Sequence, residues 1–328
     1  HATYQISEHP YNEHTSYTLQ NEYESRYTID PQGRQNVDPR YLFPLTRNIP
    51  LFPEADVSPG ITWSAPALEI HDFSVLFGIE EPYRIPITVN YVYQGNKVID
   101  NRTLAEIKIT YTFLHNISGI SPNPEFGYYP VKVGGVVENL YYFDIERGKP
   151  HSFSETFDIV YTLDNGHTVE FIGEQNCEVI AAPVLDKKKT TKDIANDIEK
   201  EHLEGVRVES SDKGITIVLE NIQFEPDSDV ILQSEKGKLN RIAGILKKYP
   251  ERDILIVGHT AGLGTKEYLD NLSQKRAKSV GDYLLQLGAR KASQMTIVGR
   301  GASEPIANND TEEGRKKNRR VEIIILEN

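Results

Sequence analysis

Cysteine is almost absent: Cys177 is the only one in 328 residues, so no internal disulfide can form and thiolate-rich metal or redox sites are excluded. A surplus of basic charge is missing too. The 36 Lys and Arg are outnumbered by 48 Asp and Glu, for a net charge of -12. That balance opposes a nucleic-acid footprint, which needs a basic face to displace counterions from phosphate. No run approaches the ~20 apolar residues of a membrane-crossing helix. The polar opening His1-Ala2-Thr3-Tyr4-Gln5 has neither the charged nor the apolar region of a signal peptide. A mature or trimmed form is expected, with any export signal or lipid anchor removed upstream. Catalytic signatures are also missing: there is no Gly-x-Ser-x-Gly elbow, His-Glu-x-x-His, phosphate loop or calcium loop. The nine histidines and the carboxylates lack the spacing of acid and base partners. The expectation is a protein with no catalytic residues, no metal and no cofactor, which works by binding or as structure.

What is present reads as more than one folded unit. The length exceeds a usual single domain, and 38% hydrophobic with 26% charged residues is ordinary globular composition. Residues 1–185 hold most of the Tyr, Phe and Pro, in alternating or β-branched runs between turn signals, and are expected to be all-β, a sandwich or small barrel. Phe157-Asp158-Ile159-Val160-Tyr161 and Thr168-Val169-Glu170-Phe171-Ile172 flank Asp164-Asn165-Gly166, and Asn-Gly accepts the positive φ of a tight hairpin. A second hairpin is expected from Ile85–Tyr93 and Ala105–Phe113 around Gln94-Gly95-Asn96. The first fifty residues, polar and carrying Pro10, Pro31, Pro39, Pro44 and Pro50, are expected to be irregular chain or a small separate unit. Trp63 is expected in the core or as a strand-end anchor.

At Asp186 the composition shifts to Lys187-Lys188-Lys189-Thr190-Thr191-Lys192, after which Ile194, Ile198 and Leu203 recur at helical spacing. Residues 186–205 therefore read as a charged linker and short helix. From 206 to 328 strands alternate with helices. Ile215–Leu219 opens the pattern; Ser234 can cap a helix carrying Leu239, Ile242 and Leu246 and stopped by Pro250; Ile254–Val257 is a buried strand. A second helix spans about Thr265 to Leu287 with Gly288 as its left-handed cap, and strands follow at Met295–Val298 and Val321–Leu326. Leu272, Val280, Tyr283 and Leu287 mark an apolar stripe on that helix with Arg276 at its margin. A guanidinium there requires a carboxylate of the protein or of a ligand, or a stem that reaches solvent. His259, at a strand end with no second ligand at usable spacing, reads as a turn or edge histidine.

Ile222-Gln223-Phe224, Gly258-His259-Thr260, Leu272-Ser273-Gln274-Lys275-Arg276-Ala277, Gly301-Ala302-Ser303-Glu304-Pro305 and Asn318-Arg319-Arg320-Val321-Glu322-Ile323 occur in a shared order and spacing. Together they resemble the OmpA-like domain, over about residues 206–328. The resemblance implies an α+β fold, βαβαβ-β with the helices on one side of a mixed sheet. It also implies a domain that holds the stem peptide of peptidoglycan, an aspartate after the Gly-x-Thr turn and a helix arginine gripping the charged ends of diaminopimelate, aided by an asparagine. Carried over, the arginine falls on Arg276, the aspartate on Ala261 and the asparagine on Leu269. The implied pocket would comprise Phe224, Thr260, Ala261, Leu263, Gly264, Leu269, Arg276 and Arg320.

Loss of a carboxylate paired to an ammonium removes about 1.5–3 kcal/mol, one to two orders of magnitude in affinity. A straightforward change to ornithine-containing stems would keep the aspartate and dispense with the arginine, the reverse of what stands here. The implied protein is a non-catalytic periplasmic envelope component, outer-membrane associated through an upstream anchor, whose peptidoglycan binding is weakened or lost. A working peptidoglycan tether is the alternative; so is an interaction module engaging an envelope protein through residues 1–185. That N-terminal region resembles, more faintly, β-rich portions of spirochaetal OmpA-domain proteins, through Arg47-Asn48-Ile49-Pro50-Leu51-Phe52-Pro53 and Gly60-Ile61-Thr62-Trp63.

Overall fold

Runs of period-two alternation in the first half become strands as long as the 21 residues of Ile79–Ile99, with Ile85, Ile87, Val89 and Tyr91 buried and Pro86, Thr88 and Asn90 exposed between them. The structure is a computed structural model that describes residues 2–8, 15–99, 101–179, 184–225, 228–262 and 264–327. Two compact units divide the chain, His1–Tyr4 with Tyr23–Ile180 and Gln5–Glu22 with Ala181–Asn328. In chain order the elements of the first part are β1 (Ala2–Glu8), β2 (Tyr17–Ser25), β3 (Tyr27–Ile29), β4 (Gln35–Val37), β5 (Thr46–Arg47) and β6 (Thr62–Phe73). They continue as α1 (Ser74–Phe77), β7 (Ile79–Ile99), β8 (Arg102–Asn116), β9 (Pro130–Asp144), β10 (Lys149–Leu163) and β11 (Thr168–Glu178). The described residues of the first fifty thus carry five strands where irregular chain or a small separate unit was expected; Pro31, Pro39, Pro44 and Pro50 lie between or beside short strands rather than inside long ones, and Pro10 lies outside the described residues.

The first unit is β-rich, built on one half-barrel sheet in the order β11-β10-β9-β8-β7-β6-β5, with β3 and β4 as a separate two-stranded pair. Of the expected sandwich or small barrel, the all-β character holds and the sheet is a half-barrel rather than two packed layers. From β5 to β11 each strand pairs with the next in sequence, so no connection crosses over to build a second layer. The β10–β11 hairpin forms as expected, with Thr162 opposite Thr168 and Gly166 at φ 82° in its turn. The second hairpin is displaced. Tyr93 and Ile107 are partners, but Gly95, at φ 112°, makes a bulge within β7 and the strand runs on to Ile99, so the reversal comes between Ile99 and Arg102. Trp63 stacks on Tyr91 at 5.1 Å and donates from Nε1 to Leu51 O at 2.8 Å, fixing the start of β6.

Polar groups inside this unit satisfy one another. His71 lies between Tyr161 OH (2.5 Å from Nδ1) and Glu69 Oε2 (3.0 Å from Nε2), and Tyr111 OH donates to Glu69 Oε1 at 2.6 Å. Burial, and then the Glu69 charge, push the Tyr111 and Tyr161 phenols above their ordinary range. A buried carboxylate is tolerable only with such partners.

The second unit continues with α2 (Lys187–Lys200), β12 (Val206–Ser211), β13 (Gly214–Glu220), α3 (Gln233–Leu246), β14 (Ile254–Gly258), α4 (Lys266–Gln286), β15 (Met295–Gly299), α5 (Glu312–Asn318) and β16 (Arg320–Leu326). Its sheet has the order β1-β2-β15-β14-β16-β13-β12; β14 and β15 are parallel, and β16 is antiparallel to both β13 and β14. Ile254, Ile256, Ile297 and Ile323 face a core shared with Leu239, Ile242 and Leu246 of α3 and Ala277, Val280 and Leu284 of α4. Ile194 of α2 is wholly buried in the same core. Leu255, Val257, Val298 and Ile324 form a second buried cluster on the other face, joined by Leu19 of β2. Burial on both faces accounts for the continuous apolar run of β14.

Tyr17 and Thr18 pair in parallel with Thr296 and Ile297, and Ser16 donates from its backbone N and its Oγ to Asp282 Oδ1 at 3.2 and 3.1 Å. A chain-start segment is therefore built into the C-terminal sheet, which the sequence pattern did not indicate. Helix α3 starts after Leu232 without a side-chain cap, so Ser234 lies in its first turn. The α4 cap is Thr265, accepting from Tyr268 N. Its buried face runs through Leu269, Ser273, Ala277, Val280 and Leu284; it keeps Val280 of the expected stripe, while Leu272, Tyr283 and Leu287 give way to neighbouring positions. Among the described residues no helix is long and apolar enough to cross a membrane.

Candidate functional site

The site begins with a close approach. A Cβ on Gly258 would stand 2.2 Å from Ser273 O, so only glycine lets α4 seat so tightly on the end of β14. Ser273 Oγ reinforces the seat by donating to Asp270 O and accepting from Gly301 N, both at 2.8 Å. Three residues further along α4, half-buried Arg276 lies over the Phe224 ring at 4.9 Å, and its Nε donates to Ser228 O at 3.2 Å. Phe224 is placed by a β-bridge to Ile231.

The opposite wall comes from the ends of β14 and β16. His259, 3% exposed, follows β14 and donates from its backbone N to Arg320 O at 3.0 Å. Arg320, also 3% exposed, donates from Nε to Glu322 Oε1 at 2.6 Å and from Nη2 to Glu304 O at 3.1 Å. His259 Nε2 lies 3.6 Å from Glu322 Oε1, an electrostatic contact longer than a good hydrogen bond. Burial works to raise the Glu322 carboxyl, but the facing His259 and the Arg320 guanidinium outweigh it and hold it at about 2. Among the described residues, Arg320 Nη1 and both His259 ring nitrogens are buried without a hydrogen bond.

Between these walls is a cavity of about 340 Å³ lined by Asn221, Ile222, Gln223, Phe224, His259, Arg276, Lys316, Arg319, Arg320 and Val321. Of the residues expected at a pocket, Phe224, Arg276 and Arg320 line it. Thr260 and Ala261 follow His259 and are buried at 5% and 7%; Thr260 N donates to Gly301 O at 2.8 Å. Gly264, at φ 137°, would place a Cβ 3.5 Å from Leu269 Cδ2, and Leu269 itself is 7% exposed. The described lining includes none of these four. Leu263 is outside the described residues.

Three of the lining residues with titratable side chains, His259, Lys316 and Arg319, escaped the sequence reading. His259 was read as an edge or turn residue, whereas it is a buried wall. Lys316 and Arg319 were not among the expected pocket residues, but α5 occupies Glu312–Asn318 and brings Lys316 to the cavity with Arg319 and Arg320. Arg319 and Arg315 pair with Glu312 at 2.6 and 2.8 Å and hold its carboxyl below the usual range. No group of three or more His, Cys, Asp or Glu that could hold a metal occurs among the described residues.

Residues 223–319 match the family model described as OmpA family. Outer membrane porin F of Pseudomonas fluorescens is 37% identical over 105 residues, 32% of this chain and 32% of that protein. The peptidoglycan-binding protein ArfA of Mycobacterium tuberculosis is 40% identical over 104 residues, again 32% of each. The chain spans about a third of the length of these two relatives. Among solved structures, an outer membrane protein from Borrelia burgdorferi B31 is 38% identical, with 37% of this chain and 96% of that one covered and a TM-score of 0.31. The C-terminal domain of this chain belongs to the OmpA family.

Proposed function

We propose that the chain is a non-catalytic component of a bacterial cell envelope, acting in the periplasm, whose OmpA-family domain engages the stem peptide of peptidoglycan with reduced affinity. The observation that carries this reading is the asymmetry of the site. The cationic wall is built, with Arg276 over Phe224 and Arg320 buried behind it. At the positions where the family resemblance expects an aspartate and an asparagine stand Ala261 and Leu269, each 7% exposed and neither able to hold an ammonium. A relative described as peptidoglycan-binding supports the ligand class.

The test is co-sedimentation of the full chain with purified diaminopimelate-containing and ornithine-containing peptidoglycan, wild type beside Ala261→Asp, with circular dichroism to confirm folding. A restored charge-assisted bond is worth about 1.5–3 kcal/mol, so Ala261→Asp should bind diaminopimelate-type peptidoglycan about tenfold to a hundredfold tighter. The reading fails if the wild type already binds as tightly as that variant and Arg276→Ala abolishes the binding; the protein is then a conventional tether.

A second reading, a protein partner for the first unit, is favoured by one surface. The outward face of its sheet exposes Leu114 (71%), Val136 (51%) and Ile172 (74%) beside a trough floored by Gly134.

A further inference from the structure

We propose that the cavity between Arg276 and Arg320 receives a dianionic phosphoryl group, an inference that rests on reading this cavity as the ligand site of the domain. Its described lining carries Arg276, Lys316, Arg319 and Arg320 and no carboxylate side chain. Two of these charges are offset from behind, Arg319 by Glu312 and Arg320 by Glu322. Lys316, exposed at the mouth, makes no ion pair among the described residues. Deeper in, Arg320 Nη1 and the two His259 ring nitrogens are buried and make no hydrogen bond among the described residues, Nε2 having only the 3.6 Å contact with Glu322 Oε1. Buried polar groups of this kind are uncommon and costly unless a partner meets them.

The geometry favours phosphoryl over carboxylate. His259 follows β14, Lys316 is on α5 and Arg320 begins β16, so the donors reach the cavity from three separate elements. A carboxylate presents two coplanar oxygens and a single charge, which one guanidinium fork satisfies. A phosphoryl group presents three acceptor oxygens and a charge of about -1.5 to -2 near neutrality. It can therefore take a guanidinium N–H, an imidazole N–H and an ammonium from different directions.

The experiment is calorimetric titration of the full chain, at matched ionic strength, with inorganic phosphate and with acetate. Phosphate should bind about tenfold or more tighter than acetate. Lys316→Gln should weaken phosphate binding about fivefold, the worth of one partly exposed charged hydrogen bond. Lys317→Gln, an exposed change on the same helix outside the described lining, should leave it unaltered. Phosphate heat that is absent or matched by acetate overturns the proposal, as does an equal loss in both lysine variants, which would mean general charge attraction only. Flotation with phosphatidylcholine vesicles, with and without phosphatidic acid, separates the sources. Flotation that requires phosphatidic acid and is lost in Lys316→Gln places the phosphoryl group on a lipid; titration without flotation places it on a soluble molecule. None of these arms involves Ala261, so a stem-peptide reading that fails through Ala261→Asp leaves this outcome separately readable.

Discussion

Replacing Glu322 by glutamine removes the anion that Arg320 and His259 share at the back of the cavity. The Glu322 carboxyl is held at about 2 in the folded protein, against about 4.3 for an unperturbed glutamate, a difference of about 3 kcal/mol at neutral pH. Because the folded value is depressed, this stabilisation is fully present above the unfolded value and is lost as pH falls through the folded one. Glu322→Gln should therefore be less stable than wild type by about 3 kcal/mol at neutrality, and the gap should narrow between about pH 5 and pH 2. Urea unfolding of both proteins across that range, followed by a probe in the C-terminal unit, measures the gap directly. A gap that stays constant down to about pH 2 would show that Glu322 acts by shape and hydrogen bonding alone, and would refute the electrostatic account. Salt offers a check, since a side chain 17% exposed should be only weakly screened.

Two further outcomes follow from burial elsewhere in the same unit. Arg290, 5% exposed, donates to Arg252 O, Leu246 O, Ala289 O and Tyr249 O at 2.6–2.7 Å, satisfying carbonyls at the end of α3. Arg290→Met should cost about 3 kcal/mol or more in urea unfolding, and a loss under about 1 kcal/mol would mean that water replaces the guanidinium. Leu19→Ala should destabilise the C-terminal unit by about 2–4 kcal/mol and strip exchange protection from whichever of the Thr296 and Ile297 amides faces β2; unchanged protection of both would show that β2 is dispensable.

Much of the C-terminal domain was legible because its signals are local. Apolar runs gave β14, β15 and β16, and the motif order gave the family. What stayed hidden depends on contacts distant in sequence. Nothing near Tyr17 or Leu19 announces a partner in β15. Gly95 is an equally good turn or bulge residue, and only the register of β7 against β8 decides between them. At the site, Arg276 was found because an arginine beside an apolar stripe demands explanation. His259 was missed because a single histidine has no spacing to interpret, and α5 because it is a single short helix of seven residues with no apolar face of its own.

The pairing of Thr18 with Ile297 sets the order in which the chain can complete itself. Residues that precede the half-barrel wait for a strand that follows it, while the whole half-barrel is synthesised in between. During that interval β2 has no sheet to join. Closing so long a loop is slow more than it is costly, since the entropy of closure grows only with the logarithm of length. Strand β2 can thus take its place only once β15 has been made, which makes it the segment most in need of protection until then.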